Sequence, residues 1–227
     1  MHTAFRAVAA AIAIGAASPA AADLVLNMVI VDLVPGQPPR ADIEASNTGS
    51  ERIYVVAEPA EIVNPGRPDE RRFASPDPAA LGLLVTPQKM ILEPGERKLV
   101  RIAAIAPPAR TDRIYRVTIK PVAGDVSAAT SALKILVGYD VLVIARPAVM
   151  TGTVTATRTG ASMTLANTGT TNVELYEGRQ CDPAGKNCAP LPSRRLYAGA
   201  TWTIAIDPAR PVDYKVKTGN AVAGQRF

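Results

Sequence analysis

The sequence predicts an all-β protein built from two immunoglobulin-like β-sandwich domains behind a removable leader. Three observations predict it. Short runs of alternating apolar and polar residues recur between Pro, Gly and Asn punctuation, no long helical period follows the leader, and one block of sequence from the first half of the chain is echoed in the second.

The chain opens MHTAFRAVAAAIAIGAASPAAADLV, with one Arg, an apolar run from Ala7 to Ala17, and the small residues Ala20 and Ala22 ahead of Asp23. That is the pattern of a secretory signal peptide, so residues 1–22 are expected to be cleaved and the mature chain to begin at Asp23. The apolar run is too short to span a bilayer, and no later segment reaches spanning length, so the mature chain is expected not to be membrane-embedded.

Of the 227 residues, 48% are hydrophobic and 20% charged, a balance that favours packed globules over disorder. The net charge of +5 is spread along the chain with few aromatics to interleave, which argues against a nucleic-acid partner. The doublets Arg71-Arg72 and Arg194-Arg195 read as solvated loop charges.

His2 is the sole histidine and leaves with the leader, so Ser-His-Asp and Cys-His arrangements and imidazole metal sites drop out together. Gly185-Lys186 is followed by Asn187 and lacks the upstream glycine of a phosphate loop. The acidic pairs Asp42/Glu44 and Glu58/Glu61 carry no mark of a buried catalytic dyad. No enzymatic activity, cofactor or metal is expected.

Cys181 and Cys188 are the only cysteines, with Pro183 and Gly185 supplying a turn between them. In an exported chain they are expected to form a disulfide. Closing so short a loop stabilises by about 2.5 kcal/mol in the chain-entropy model, which suits pinning a local hairpin.

The candidate strands run in order through ADIEAS, RIYVVAE, KLVRIAA, RIYRVTIKPV, SMTLAN and TWTIAI, each bounded by turn residues. Between the fourth and fifth lies SALKILVGYDVLVIARP, Ser131 to Pro147, where Leu133, Ile135, Val137, Tyr139, Val141 and Val143 share one parity. That run is longer than a small domain needs for its own core.

ASNTGSERIYV around Asn47 is echoed by LANTGTTNVEL around Asn167. LEPGERKLVRI and LYAGATWTIAI both place Gly three residues after Leu and Ile ten after it. Asn-Thr-Gly suits a corner where an Asx turn joins two strands. A boundary after Pro147 gives an N-terminal domain over residues 23–148 and a C-terminal domain over 149–227.

These residues resemble the periplasmic pilus-assembly chaperones, the PapD-like family of boomerang-shaped two-sandwich proteins. The matching features occur in family order: Ala45-Ser46-Asn47, Tyr54, Val85-Thr86-Pro87, Leu92-Glu93-Pro94-Gly95 with Arg101 beyond, Asp112-Arg113, and the long strand ending at Arg146-Pro147. The resemblance covers most of residues 24 to 148 and reaches the second domain only through its Asn-rich corner and strand pattern.

The resemblance implies a function in the periplasm: capping pilus or fimbrial subunits by donor-strand complementation and delivering them to an outer-membrane usher. Ungapped counting back from Arg146-Pro147 puts the donor side chains at Leu133, Ile135 and Val137. Each would contribute roughly 1.5 to 3 kcal/mol on full burial, before ordering costs. The same counting places Ile30 and Leu142 where the family carries a basic pair for the subunit's C-terminal carboxylate, and the nearby alternatives are Arg101, Arg116 and Arg146. Ile114 stands where an acidic neighbour of Arg146 is expected. The alternative is a two-domain immunoglobulin-like envelope protein with a non-pilin partner.

Overall fold

The computed structural model describes residues 23–122 and 136–227. The signal-peptide reading and the positions Leu133 and Ile135 lie outside the described residues.

In the first sandwich, β1 (Leu24–Leu26), β3 (Arg40–Asn47), β8 (Arg97–Ala104) and β6 (Leu83–Thr86) lie side by side as a four-stranded sheet. Facing it, β2 (Ile30–Leu33), β10 (Tyr139–Ala145), β9 (Arg113–Val122), β4 (Ile53–Val63) and β5 (Arg71–Phe73) are neighbours in that order, with β7 (Lys89–Leu92) paired to β4. Alternation along these strands sends Ile43, Val100, Ile102, Val55, Val117, Ile119, Val141 and Val143 into one core. The single short helix among the described residues, α1 (Pro78–Leu81), is capped by Asp77, whose side chain accepts the Ala79 N–H.

The second sandwich sets β11 (Val154–Thr159), β12 (Ser162–Asn167) and β16 (Thr201–Ala205) against a second sheet. That sheet runs through β14 (Ala189–Leu191), β13 (Val173–Gln180), β17 (Asp213–Thr218) and β18 (Ala221–Arg226), with β15 (Arg194–Leu196) also paired to β13. Its core holds Met163, Leu165, Val173, Leu175, Trp202, Tyr214 and Val216. Cys181 and Cys188 are disulfide-bonded, closing the turn that joins β13 to β14.

The repeated Asn-Thr-Gly corners have a single physical explanation. Asn47 is buried and its amide donates to the carbonyls of Glu51 (2.7 Å) and Leu92 (3.0 Å), while its Oδ1 accepts the Gly49 N–H. Asn167 does the same with Thr171 (2.8 Å), Leu196 (2.9 Å) and Gly169. Leu92 and Leu196 are the two leucines of the repeated block, and the glycines three residues later turn at φ 74° and 73°. There each glycine's N–H returns to the carbonyl of the same asparagine. Each corner therefore pins two distant segments through one side chain.

Two prolines test the strand reading. β4 continues through Pro59 because β7 pairs with it only over Ile53–Val56 and β5 only over Glu61–Val63, so the missing N–H falls in the gap between those neighbours. The β9–β10 ladder begins at Tyr139 opposite Ile119, and extending its register would set Val137 against Pro121, which has no N–H to offer. The described residues Leu136–Gly138 accordingly stand outside the strand, with Leu136 and Val137 exposed.

Asn47→Ala and Asn167→Ala are each expected to destabilise by about 1–3 kcal/mol, because each leaves two carbonyls without their donor. Urea midpoints read the effect, and unchanged midpoints would show that the corners are held by other means.

Candidate functional site

β10 presents two different faces. Its odd residues Tyr139, Val141 and Val143 pack into or against the sandwich core, whereas Leu142 and Ile144 join Ile62 and Ile114 in a separate apolar cluster on the outer face of the six-stranded sheet. Tyr197, from the turn after β15, packs on that cluster, so the outer face of the first sandwich and the second sandwich together bound a cleft.

The domains are joined at that cleft by a buried cation. The Arg146 side chain is 4% exposed; its Nε and Nη2 donate to Asp32 (2.6 and 2.7 Å) and its Nη1 to the Thr171 hydroxyl (2.5 Å). Asp112, itself 2% exposed, lies 3.6 Å from Arg146. It accepts from the Thr171 hydroxyl and from both the backbone and side-chain amides of Asn172. Burial opposes Arg146's charge, but the bonds to Asp32 and the nearby carboxylates outweigh it and hold the guanidinium above its ordinary pKa. The acidic partners missing at Ile114 are thus supplied by Asp32 and Asp112, and Ile114 itself belongs to the apolar cluster.

A second contact reinforces the first. The turn between β4 and β5 meets the β15–β16 turn, with Arg67 against Gly199 and Gly66 beside Tyr197 and Ala200.

The counted positions Ile30 and Leu142 are direct neighbours in the β2–β10 ladder, and Leu142 is in turn opposite Arg116 on β9. The row is aliphatic, aliphatic, basic. Among the three candidate arginines, Arg101 lies on the outer face of the other sheet, bound through two bonds of 2.8 Å to Asp42, and Arg146 is enclosed in the hinge. Arg116 alone of the three is on the cleft face with a partly open side chain, 33% exposed.

Arg116 is not alone there. Its Nη1 donates to the Asp140 carbonyl (3.0 Å), and the Asp140 carboxylate is bonded by Arg72 and by the Thr118 hydroxyl (3.0 Å). Arg72, Arg116 and Asp140 line a polar pocket of about 170 Å³ with Glu70, Tyr197, Ile62, Pro65 and Ile114. Arg72 was not legible as a site residue: its doublet reads as loop charge, yet Arg71–Phe73 is β5 and Arg194–Leu196 is β15.

Among the described residues β10 also has an open side. β2 runs parallel to it and pairs only with Leu142–Ala145. The Leu142 and Arg146 N–H groups point to β2, so those of the same parity upstream, at Asp140, point to a side where no described residue forms a strand. Beside this gap the segment that crosses from β1 to β2 exposes Met28, Val29 and Ile30.

Compared by sequence, the chain matches no family model and no curated protein. Its structure matches many solved ones. It superposes on the class 5 fimbriae chaperone CfaA with a TM-score of 0.72 over 90% of this chain and 97% of that one, at 20% identity. The chain has the fold of the fimbrial chaperones. The Salmonella enterica structure of the SafA pilin with the SafB chaperone gives a TM-score of 0.62 at 17% identity, covering 92% of this chain and 98% of that one. The periplasmic chaperone SfaE gives 0.59 at 13% identity, covering 89% and 98%.

Two outcomes follow from the geometry. Val137→Asp, at a side chain 48% exposed, is expected to leave the melting temperature nearly unchanged, whereas Val141→Asp, of the same parity and fully buried, should cost more than about 3 kcal/mol. Arg146→Met strands Asp112 without its cation and is expected to cost about 3–5 kcal/mol. Thermal and urea unfolding followed by circular dichroism measure both.

Proposed function

We propose that this protein is a non-enzymatic periplasmic chaperone, exported by a signal peptide over residues 1–22, that captures pilus or fimbrial subunits and delivers them to an outer-membrane usher. The observation that carries the reading is the open side of β10. An exposed edge with apolar side chains is an aggregation hazard unless a partner covers it, and a subunit whose own sandwich lacks a strand has the complementary defect. Pairing the two satisfies backbone groups on both and removes apolar surface from water. In this reading the domain of residues 23–148 lends Leu133, Ile135 and Val137, which continue the parity of Tyr139, Val141 and Val143 beyond the sandwich's own core. The domain of residues 149–227 forms the other wall of the cleft. Fimbrial and periplasmic chaperones of the same fold, one of them solved with a pilin, support it.

The subunit's C-terminal carboxylate is assigned to Arg116 and Arg72. A strand entering beside β10 in the same sense as β2 would end where β2 begins, at Ile30, and its carboxylate would lie near the Asp140 end of β10. Guanidinium forks there offer charge-assisted bonds that aliphatic Ile30 and Leu142 cannot. The aliphatic pair is also what favours the second reading, an envelope protein of this fold with a non-pilin partner.

Co-expression of the full chain with subunits encoded near its gene, scored by co-purification, tests the proposal. Ile135→Asp is expected to abolish capture without lowering the melting temperature, and Arg116→Gln to weaken capture of the whole subunit but not of one trimmed at its C-terminus. Undiminished capture by Ile135→Asp would overturn strand lending. Equal binding of whole and trimmed subunits would overturn the anchor.

A further inference from the structure

Arg72 and Arg116 converge on a carboxylate that the chain itself supplies. Asp140 accepts from Arg72 and from the Thr118 hydroxyl, and Arg116 Nε stands 3.8 Å from Asp140 Oδ2 while its Nη1 holds the Asp140 backbone carbonyl. All three side chains remain open to solvent, at 50% for Arg72, 33% for Arg116 and 40% for Asp140. Two guanidinium groups carry ten N–H donors between them, and the contacts with Asp140 engage only a few, so the pair is held in place without being saturated.

The other charges on this part of the face do not take over the task. Lys120 is paired with Glu58 at 2.9 Å, and Glu70, which lines the same pocket, accepts the Gly66 N–H at 2.6 Å. The local balance around Arg72 and Arg116 is therefore decided by Asp140, with Glu70 as a second negative charge at the pocket wall.

From this arrangement we infer that Asp140 is an internal competitor for the carboxylate site: it pre-aligns Arg72 and Arg116 and sets an upper limit on how tightly they hold an incoming C-terminus. The inference rests on the proposed anchor. Its physical content is separate. A strand arriving on the open side of β10 offers an N–H to the Asp140 carbonyl, the group Arg116 now caps, and so releases Arg116 toward the incoming carboxylate. Two carboxylates then share two guanidiniums, and their mutual repulsion lowers the affinity below what the arginines alone would give. A binding site moderated in this way can give its cargo up again.

The probe is a synthetic peptide of alternating valine and threonine, prepared with a free or an amidated C-terminus and titrated by calorimetry into the full-length protein and its Asp140→Asn variant. Asn keeps the shape and the Thr118 contact while removing the charge. The wild-type protein is expected to prefer the free acid, and Asp140→Asn to widen that preference by about two- to fivefold, the scale of a partly exposed ion pair. Circular dichroism melts verify that the variant is folded. A preference that is present in the wild type but unchanged or narrowed in Asp140→Asn overturns the competitor and leaves the anchor standing. No preference for the acid in either protein overturns the anchor itself, and the competitor with it. Arg72→Gln combined with Arg116→Gln should abolish the preference in both backgrounds, and its survival would place the carboxylate elsewhere.

Discussion

The cleft exists because one cation is buried between the two sandwiches. Arg146 follows β10 directly, so the strand that bears the open edge is tied at its end to the second domain through Thr171 and to the first through Asp32. A charge removed from water in this way is tolerable only while every partner is in place. The relative placement of Tyr197, the apolar cluster and the Arg72–Arg116 pair is inherited from that requirement. No buried side-chain polar atom among the described residues lacks a partner, which is the condition under which such a network fixes geometry instead of loosening it.

β10 is used on three sides at once. One face builds the core, the opposite face builds the cleft cluster, and one backbone edge is, among the described residues, paired with β2 over Leu142–Ala145 alone. This explains why its sequence is nearly continuously apolar from Val141 to Ala145, where a one-sided strand would alternate. Asp140 breaks the run at the point where the β2 pairing stops, which is where a charge on the outer face is still in reach of water and of two arginines.

What could be read from the chain was what depends on neighbours in sequence or on a repeated local motif. The Asn corners and the matched leucines were visible as an echo because one side chain links them, and the cysteine pair was visible from its spacing around a turn. The partners of Arg146 were not, since Asp32 lies on the first strands and Asp112 on the loop before β9, and only the topology brings them to one point. Arg72 escaped for the same reason: its meeting with Asp140 crosses the sheet, and no periodicity encodes it. Pro59 misled the strand boundary because the position of a gap between two short neighbours is a property of the sheet, not of the strand.

The divided first strand has a consequence for how this chain reaches its fold. β1 closes one sheet against β3, a local partner, but β2 has to wait for β10, so Ile30 finds Leu142 only after nearly the whole domain has been made. Contacts so far apart in sequence form late and slowly, and a parallel pairing offers no hairpin to guide them. Until they form, the growing domain carries an uncovered apolar strand and an incompletely closed sandwich, a state prone to aggregation. The protein thus passes, during its own maturation, through a missing-strand state of the kind that the proposed function has it repair in another chain.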